Sequence, residues 1–109
     1  MGISRSAVLG QGTLTTVGFH TVFTCPEGQF ALLKHATLAE QLGAANSVQL
    51  WVARPAGASV QLTAQPVAAN DQVDYERWHV LEAGDQLSIN IQPGRIAYWI
   101  SGTLLDVGP

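Results

Sequence analysis

From Leu87 to Gln92 the chain alternates without exception, Leu87, Ile89 and Ile91 against Ser88, Asn90 and Gln92. Successive side chains of an extended strand point to opposite faces, so this run specifies a strand with one apolar and one uncharged polar face. A helical period would scatter the same residues around a cylinder. Just upstream stands Glu82-Ala83-Gly84-Asp85, a turn sequence in which Gly84 accepts positive φ and Asp85 can bond neighbouring backbone amides. Gly84 and Asp85 are therefore assigned a structural turn role. With Trp78 and Val80 alternating less regularly before the turn, residues 78–91 are expected to form a β-hairpin.

The remaining chain follows the same grammar. Residues 1–12, small and polar with Gly10 and Gly12, are expected to be an N-terminal arm, ordered only where something docks on it. Residues 13–109 are assigned to a single β-sandwich domain. Thr13 to Thr24 is rich in β-branched and aromatic residues, with a break or kink at Gly18. Cys25-Pro26-Glu27-Gly28 is a turn. Phe30 to Leu42 is ambiguous: Phe30, Leu33, Thr37 and Leu38 share a helical face, yet the all-β surroundings favour a strand over about 30–39. Val48, Leu50 and Val52 mark a strand ending at Arg54-Pro55. A short strand over Val60 to Gln65 is expected to stop at Pro66, and Val73 to Val80 leads into the hairpin. Pro93-Gly94 turns the chain into a last strand, Arg95 to Leu105, with a bulge expected at Gly102. Seven to nine strands at this spacing predict an all-β antiparallel β-sandwich.

The charge content is low. Of 109 residues 12% are charged, against about a quarter in an average soluble domain, while 47% are hydrophobic. Such a chain is expected to have much of its surface covered by other copies or by a partner. One lysine (Lys34) and four scattered arginines form no basic stripe, so no nucleic-acid partner is expected. No membrane partner is expected either, since no run approaches the ~18 apolar residues of a spanning helix.

Groups that could do chemistry are few. His20, His35 and His79 lie on three separate strands with no HxH or HxxxH spacing, and are read as ordinary strand residues rather than metal ligands. Cys25, the only cysteine, excludes an intramolecular disulfide and a CxxC zinc site. As a nucleophile it would need His20 or His35 and an acid such as Asp85, and it is read instead as a small apolar residue at a strand end. Asp71, Asp74 and Glu76 are read as a solvated edge without a basic partner, with a weak cation site across subunits as the alternative. Gly84 followed by Pro93-Gly94 has the flavour of a cupin motif, but Ala97 and Tyr98 stand where its histidine would fall. No catalytic residue, metal or cofactor is assigned. Trp51, Trp78 and Trp99 are the informative aromatics. Two of the three sit beside faces already filled by aliphatics, and all three are assigned as candidate interface residues, with a carbohydrate platform as the alternative.

Residues 21–38 (TVFTCPEGQFALLKHATL), 50–57 (LWVARPAG), 80–91 (VLEAGDQLSINI) and 98–105 (YWISGTLL) together resemble small β-sandwich structural proteins of tailed-bacteriophage virions. The match runs through Pro26-Glu27-Gly28, the Leu81 to Asp85 turn and the closing Ile100-Ser101-Gly102, covering about residues 13–105. Leu38 to Asn46 departs from the shorter connection of that pattern. The resemblance implies a jelly-roll-like fold and a non-enzymatic virion component, foremost a capsid decoration (cement) protein. A neck or tail accessory, or a receptor- or carbohydrate-binding module, is the alternative. It also implies a homotrimer or ring, other virion proteins as partners, and a location in the virion after synthesis in host cytoplasm.

Overall fold

The computed structural model describes residues 4–55, 57 and 59–106. They form nine strands: β1 (Ser4–Leu14), β2 (Gly18–Thr24), β3 (Gln29–Glu40), β4 (Asn46–Ala53), β5 (Ser59–Val67), β6 (Gln72–Tyr75), β7 (His79–Leu81), β8 (Gln86–Ile91) and β9 (Ile96–Asp106). All pair antiparallel, in two sheets. The first has the order β1-β9-β3-β6, with β7 continuing the β6 edge alongside β3, and the second β2-β8-β4-β5. Counted as one interrupted strand, β6 and β7 reduce the total to eight, and each sheet draws alternately from the two ends of the chain. That is the double Greek key of a jelly roll.

The alternating runs supply the core between the sheets. Leu87, Ile89 and Ile91 of β8, Val48 and Leu50 of β4, and Leu33, Ala36, Ile96 and Ile100 of the first sheet are completely buried. Residues 30–39 lie within a strand, because Ala31, Leu33, Ala36 and Leu38 all have core to fill and a helix could present only part of that set.

Four expectations are corrected. Residues 4–12 are not an arm: they belong to β1, which pairs with β9 from Ser4↔Leu105 to Leu14↔Ile96, and Leu9 is buried. Residues 1–3 lie outside the described residues. The 78–91 segment is not a hairpin, since β7 pairs with β3 while β8 pairs with β2 and β4. Its acidic turn carries the chain from one sheet to the other. Pro66 does not end β5, which continues to Val67 as an edge strand, where one side of the backbone needs no ladder partner. The bulge expected at Gly102 sits on its two neighbours instead, with register shifts between Leu33 and His35 of β3 and between Val8 and Gly10 of β1. Gly102 is needed for close approach: a Cβ there would lie 2.0 Å from the Leu32 carbonyl oxygen.

Backbone bonds clamp the crossover turn onto the β2–β3 connection. Cys25 N–H donates to the Asp85 carbonyl and Gly84 N–H to the Cys25 carbonyl, each at 2.9 Å. Asp85, nearly fully buried, accepts the Glu82 N–H on Oδ2 at 2.8 Å, and Arg54 Nη2 lies 3.6 Å from the same oxygen. Gly84 has φ +87°, a conformation side chains resist.

Candidate functional site

Cys25 and the histidines do not converge. Cys25 is buried, its thiol donating to the carbonyls of Gln29 (3.4 Å) and Leu81 (3.5 Å). Burial first, and the Asp85 charge second, push that thiol above its ordinary pKa, so it stays protonated and unreactive at neutral pH. Neither His20 nor His35 reaches it. His20 Nε2 bonds the Thr16 carbonyl at 2.6 Å, and His35 Nε2 bonds Asp74 Oδ1 at 3.0 Å.

Asp74 does have a basic partner, contrary to the solvated-edge expectation. β6 lies beside β3 with Asp74 opposite Thr37, and the carboxylate accepts from Thr37 Oγ1 at 2.7 Å. The Thr37 hydroxyl, then the His35 ring, hold Asp74 below the usual carboxylate range. Glu76 is 3.9 Å from the same His35 nitrogen. The signal was invisible locally because His35 and Asp74 are 39 residues apart. Ser101 is the cross-strand neighbour of His35 on β9, so a hydroxyl flanks the imidazole on the side away from Asp74. No Ser101–His35 bond joins them among the described residues. Nor do the described residues hold three or more His, Cys, Asp or Glu side chains grouped for a metal ion.

His79 belongs to another unit. Its ring stacks on Tyr75 (5.8 Å between centroids, 5° between planes) and bonds the Tyr75 hydroxyl. Burial, then Arg77, lower its pKa, so it is neutral at pH 7; burial raises that of Tyr75. The pair lines an open cleft of about 550 Å³ between the β5 edge and the β6–β7 break, together with Thr63, Gln65 and Arg77. Pattern reasoning missed this pair, although the four-residue spacing across a strand break was its one sequence trace.

The more distinctive features are the two outward sheet faces. On the first sheet, registers place Leu32 between Val80 and Thr103, and Phe30 beside Leu105. These side chains line an open apolar groove of about 350 Å³. Val80 is 58% and Leu105 39% exposed. Trp78, 70% exposed in the β6–β7 break, has Lys34 Nζ over its ring, 5.3 Å from the centroid. Trp99, 49% exposed, is the cross-strand neighbour of Thr37 and Gln11 on the same face.

The second sheet presents a different surface. Its outward rows run Phe19, Asn90, Gln49, Ala64 and then Thr21, Ser88, Trp51, Gln61, followed by Thr24, Gln86, Ala53 and Ser59. None of these is charged. Phe19 and the half-buried Trp51 meet edge to face across β8, with centroids 5.8 Å apart and planes at 69°. Trp51 Nε1 donates to Gln49 Oε1 at 2.9 Å, and Asn90 Nδ2 donates to the same oxygen at 3.0 Å. The three tryptophans thus fall on both faces and do not form one patch.

No family model and no curated protein matches the chain. Solved structures similar to it include the Eiger TNF of S. frugiperda, at 12% identity and a TM-score of 0.47, covering 96% of this chain and 91% of that one. The CBM22-1 xylan-binding domain of Paenibacillus barcinonensis Xyn10C is 12% identical with a TM-score of 0.46, covering 94% and 80%. The infectious bursal disease virus Gt strain structure is 13% identical with a TM-score of 0.35, covering 95% of this chain and 32% of that one. These likenesses bear on neither ligand nor assembly.

Proposed function

We propose that this protein is a non-enzymatic structural module of a tailed-phage virion, foremost a decoration protein seated on the capsid, assembled as a trimer or ring. A neck or tail position would use the same surface. The observation that carries the proposal is the apolar groove of Phe30, Leu32, Val80 and Leu105 on the outer face of the first sheet. Contiguous outward aliphatics, with the exposed Trp78 two residues from Val80, are the kind of apolar patch that marks an interaction surface. Burying the exposed parts of Val80 and Leu105 is worth about 1 kcal/mol each, and adjoining Trp78 adds more. That is modest for one contact, and repetition across a symmetric shell multiplies it. The sparse charge of the chain and the sequence resemblance support the same assignment.

Native mass spectrometry of the full chain, with co-sedimentation on phage heads and tails, tests the proposal. Trimers or rings that bind particles are expected. A strict monomer that binds neither heads nor tails sinks it.

A further inference from the structure

We propose that the outward face of the second sheet is a binding site for neutral glycans, centred on Phe19, Trp51, Gln49 and Asn90. This goes beyond the virion assignment and uses the opposite side of the molecule.

The two amides are held in one orientation. An indole N–H can only donate, so the Gln49 atom 2.9 Å from Trp51 Nε1 must be the carbonyl oxygen. The Asn90 atom 3.0 Å from that same oxygen must then be its amide nitrogen. Both amides are thereby fixed before any ligand arrives. Gln49 Nε2 and Asn90 Oδ1 are left without a protein partner among the described residues. They form a donor and an acceptor on adjacent strands, which suits hydroxyl groups, since each hydroxyl both donates and accepts. Preorganised polar groups lose little freedom on binding.

An aromatic pair stands beside them. Phe19 is 62% exposed and meets Trp51 at a steep angle, so the face offers ring surface next to oriented amides. A pyranose has the matching composition, with an apolar C–H face for the rings and equatorial hydroxyls for the amides. Ring faces carry negative quadrupole density that attracts polarised C–H groups.

The outward rows of this face also carry no charged side chain. With no cation it offers phosphates or acidic sugars no charge-assisted bond, and with no anion it offers none to basic ones. Its only outward aliphatics in these rows are Ala53 and Ala64, too small to anchor a protein interface by apolar burial. An uncharged polyhydroxyl ligand also imposes no charge desolvation on the site.

The test uses the full chain against immobilised arabinoxylan, mixed-linkage β-glucan, dextran and galactan, with polygalacturonate and heparin as acidic comparisons. Retention by at least one neutral polymer is expected, accompanied by a change in tryptophan fluorescence. Phe19→Ala is expected to weaken it at least tenfold with an unchanged thermal melt, because Phe19 is largely exposed. Trp51→Ala is the second variant, and Val80→Asp on the opposite face is expected to leave retention unchanged. The proposal is overturned by retention on acidic polymers alone, by binding to none of the neutral ones, or by equal binding of Phe19→Ala. It is also overturned if this face joins protein copies, seen as an oligomer that Phe19→Ala disperses.

Discussion

The two outward faces of this sandwich share a backbone architecture and differ in chemistry. The first sheet shows aliphatics in a groove beside a cation-capped tryptophan, with an Asp74–Thr37–His35 cluster further along. The second shows two aromatics over a lattice of amides and hydroxyls without a charge. An apolar groove gains from any dry, complementary surface, so its specificity comes from shape. Oriented amides gain only from a ligand that returns their hydrogen bonds, so their specificity comes from chemistry. If both proposals hold, one face attaches and the other selects, and variants on one face should leave the other intact.

The largest expected effect comes from Gly102→Ala. Its Cβ would sit 2.0 Å from the Leu32 carbonyl oxygen, forcing β9 away from β3 beneath the groove. A loss of about 3 kcal/mol or more is expected in urea unfolding, and a loss below about 1 kcal/mol would show that the strands adjust freely. Next is the double change Val80→Asp with Leu105→Asp. Particle affinity is expected to fall about 100-fold, roughly 2.7 kcal/mol, with polysaccharide retention unchanged. Loss of both together would collapse the division between the faces.

Thr21→Lys puts a charge on the neutral face at an exposed position. It is expected to reduce neutral-polysaccharide retention several-fold while particle binding stays as it was. Stronger retention would mean that neutrality is not what the site selects.

The smallest effect is common to both faces and reads out in acid. Glu40, 3% exposed, accepts the backbone N–H groups of Asn70, Gly43, Ala44 and Leu42. Those bonds, the Asn70 amide foremost, hold its carboxyl below the usual glutamate value. A depressed carboxylate stabilises the fold fully above the unfolded pKa, about 4.3, and that stabilisation is lost as pH falls through the lower folded value. Thermal melts below pH 4.3 are expected to show a decline that Glu40→Gln flattens. An unchanged slope in that variant would assign the acid sensitivity to other groups.

Much of the interior was legible in the sequence, because burial writes itself into period two. Leu87, Ile89, Ile91, Val48 and Leu50 read as one-sided strands and are core. Pairing was not legible. Glu82-Ala83-Gly84-Asp85 has the same residues whether the next strand folds back beside the last or crosses to the other sheet, and only the long-range partners of β7 and β8 decide. β1 escaped notice because its first ten described positions hold two glycines and few large side chains. It is held by backbone bonds to β9, which composition does not report. The neutral face could not be seen either, since Phe19, Trp51 and Asn90 become neighbours only once the order β2-β8-β4 is known.

The pairing of Ser4 with Leu105 places the start of the first described strand beside the end of the last, at one end of the ladder they share. Tension applied between those two points would not shear the β1–β9 ladder along its length. It would open the ladder one rung at a time from Ser4–Leu105 inward, the geometry that yields at low force. Tension between Ser4 and Ile96, at opposite ends of the same ladder, would load all its rungs at once. The same ladder is therefore soft when peeled from its ends and stiff when sheared along its length.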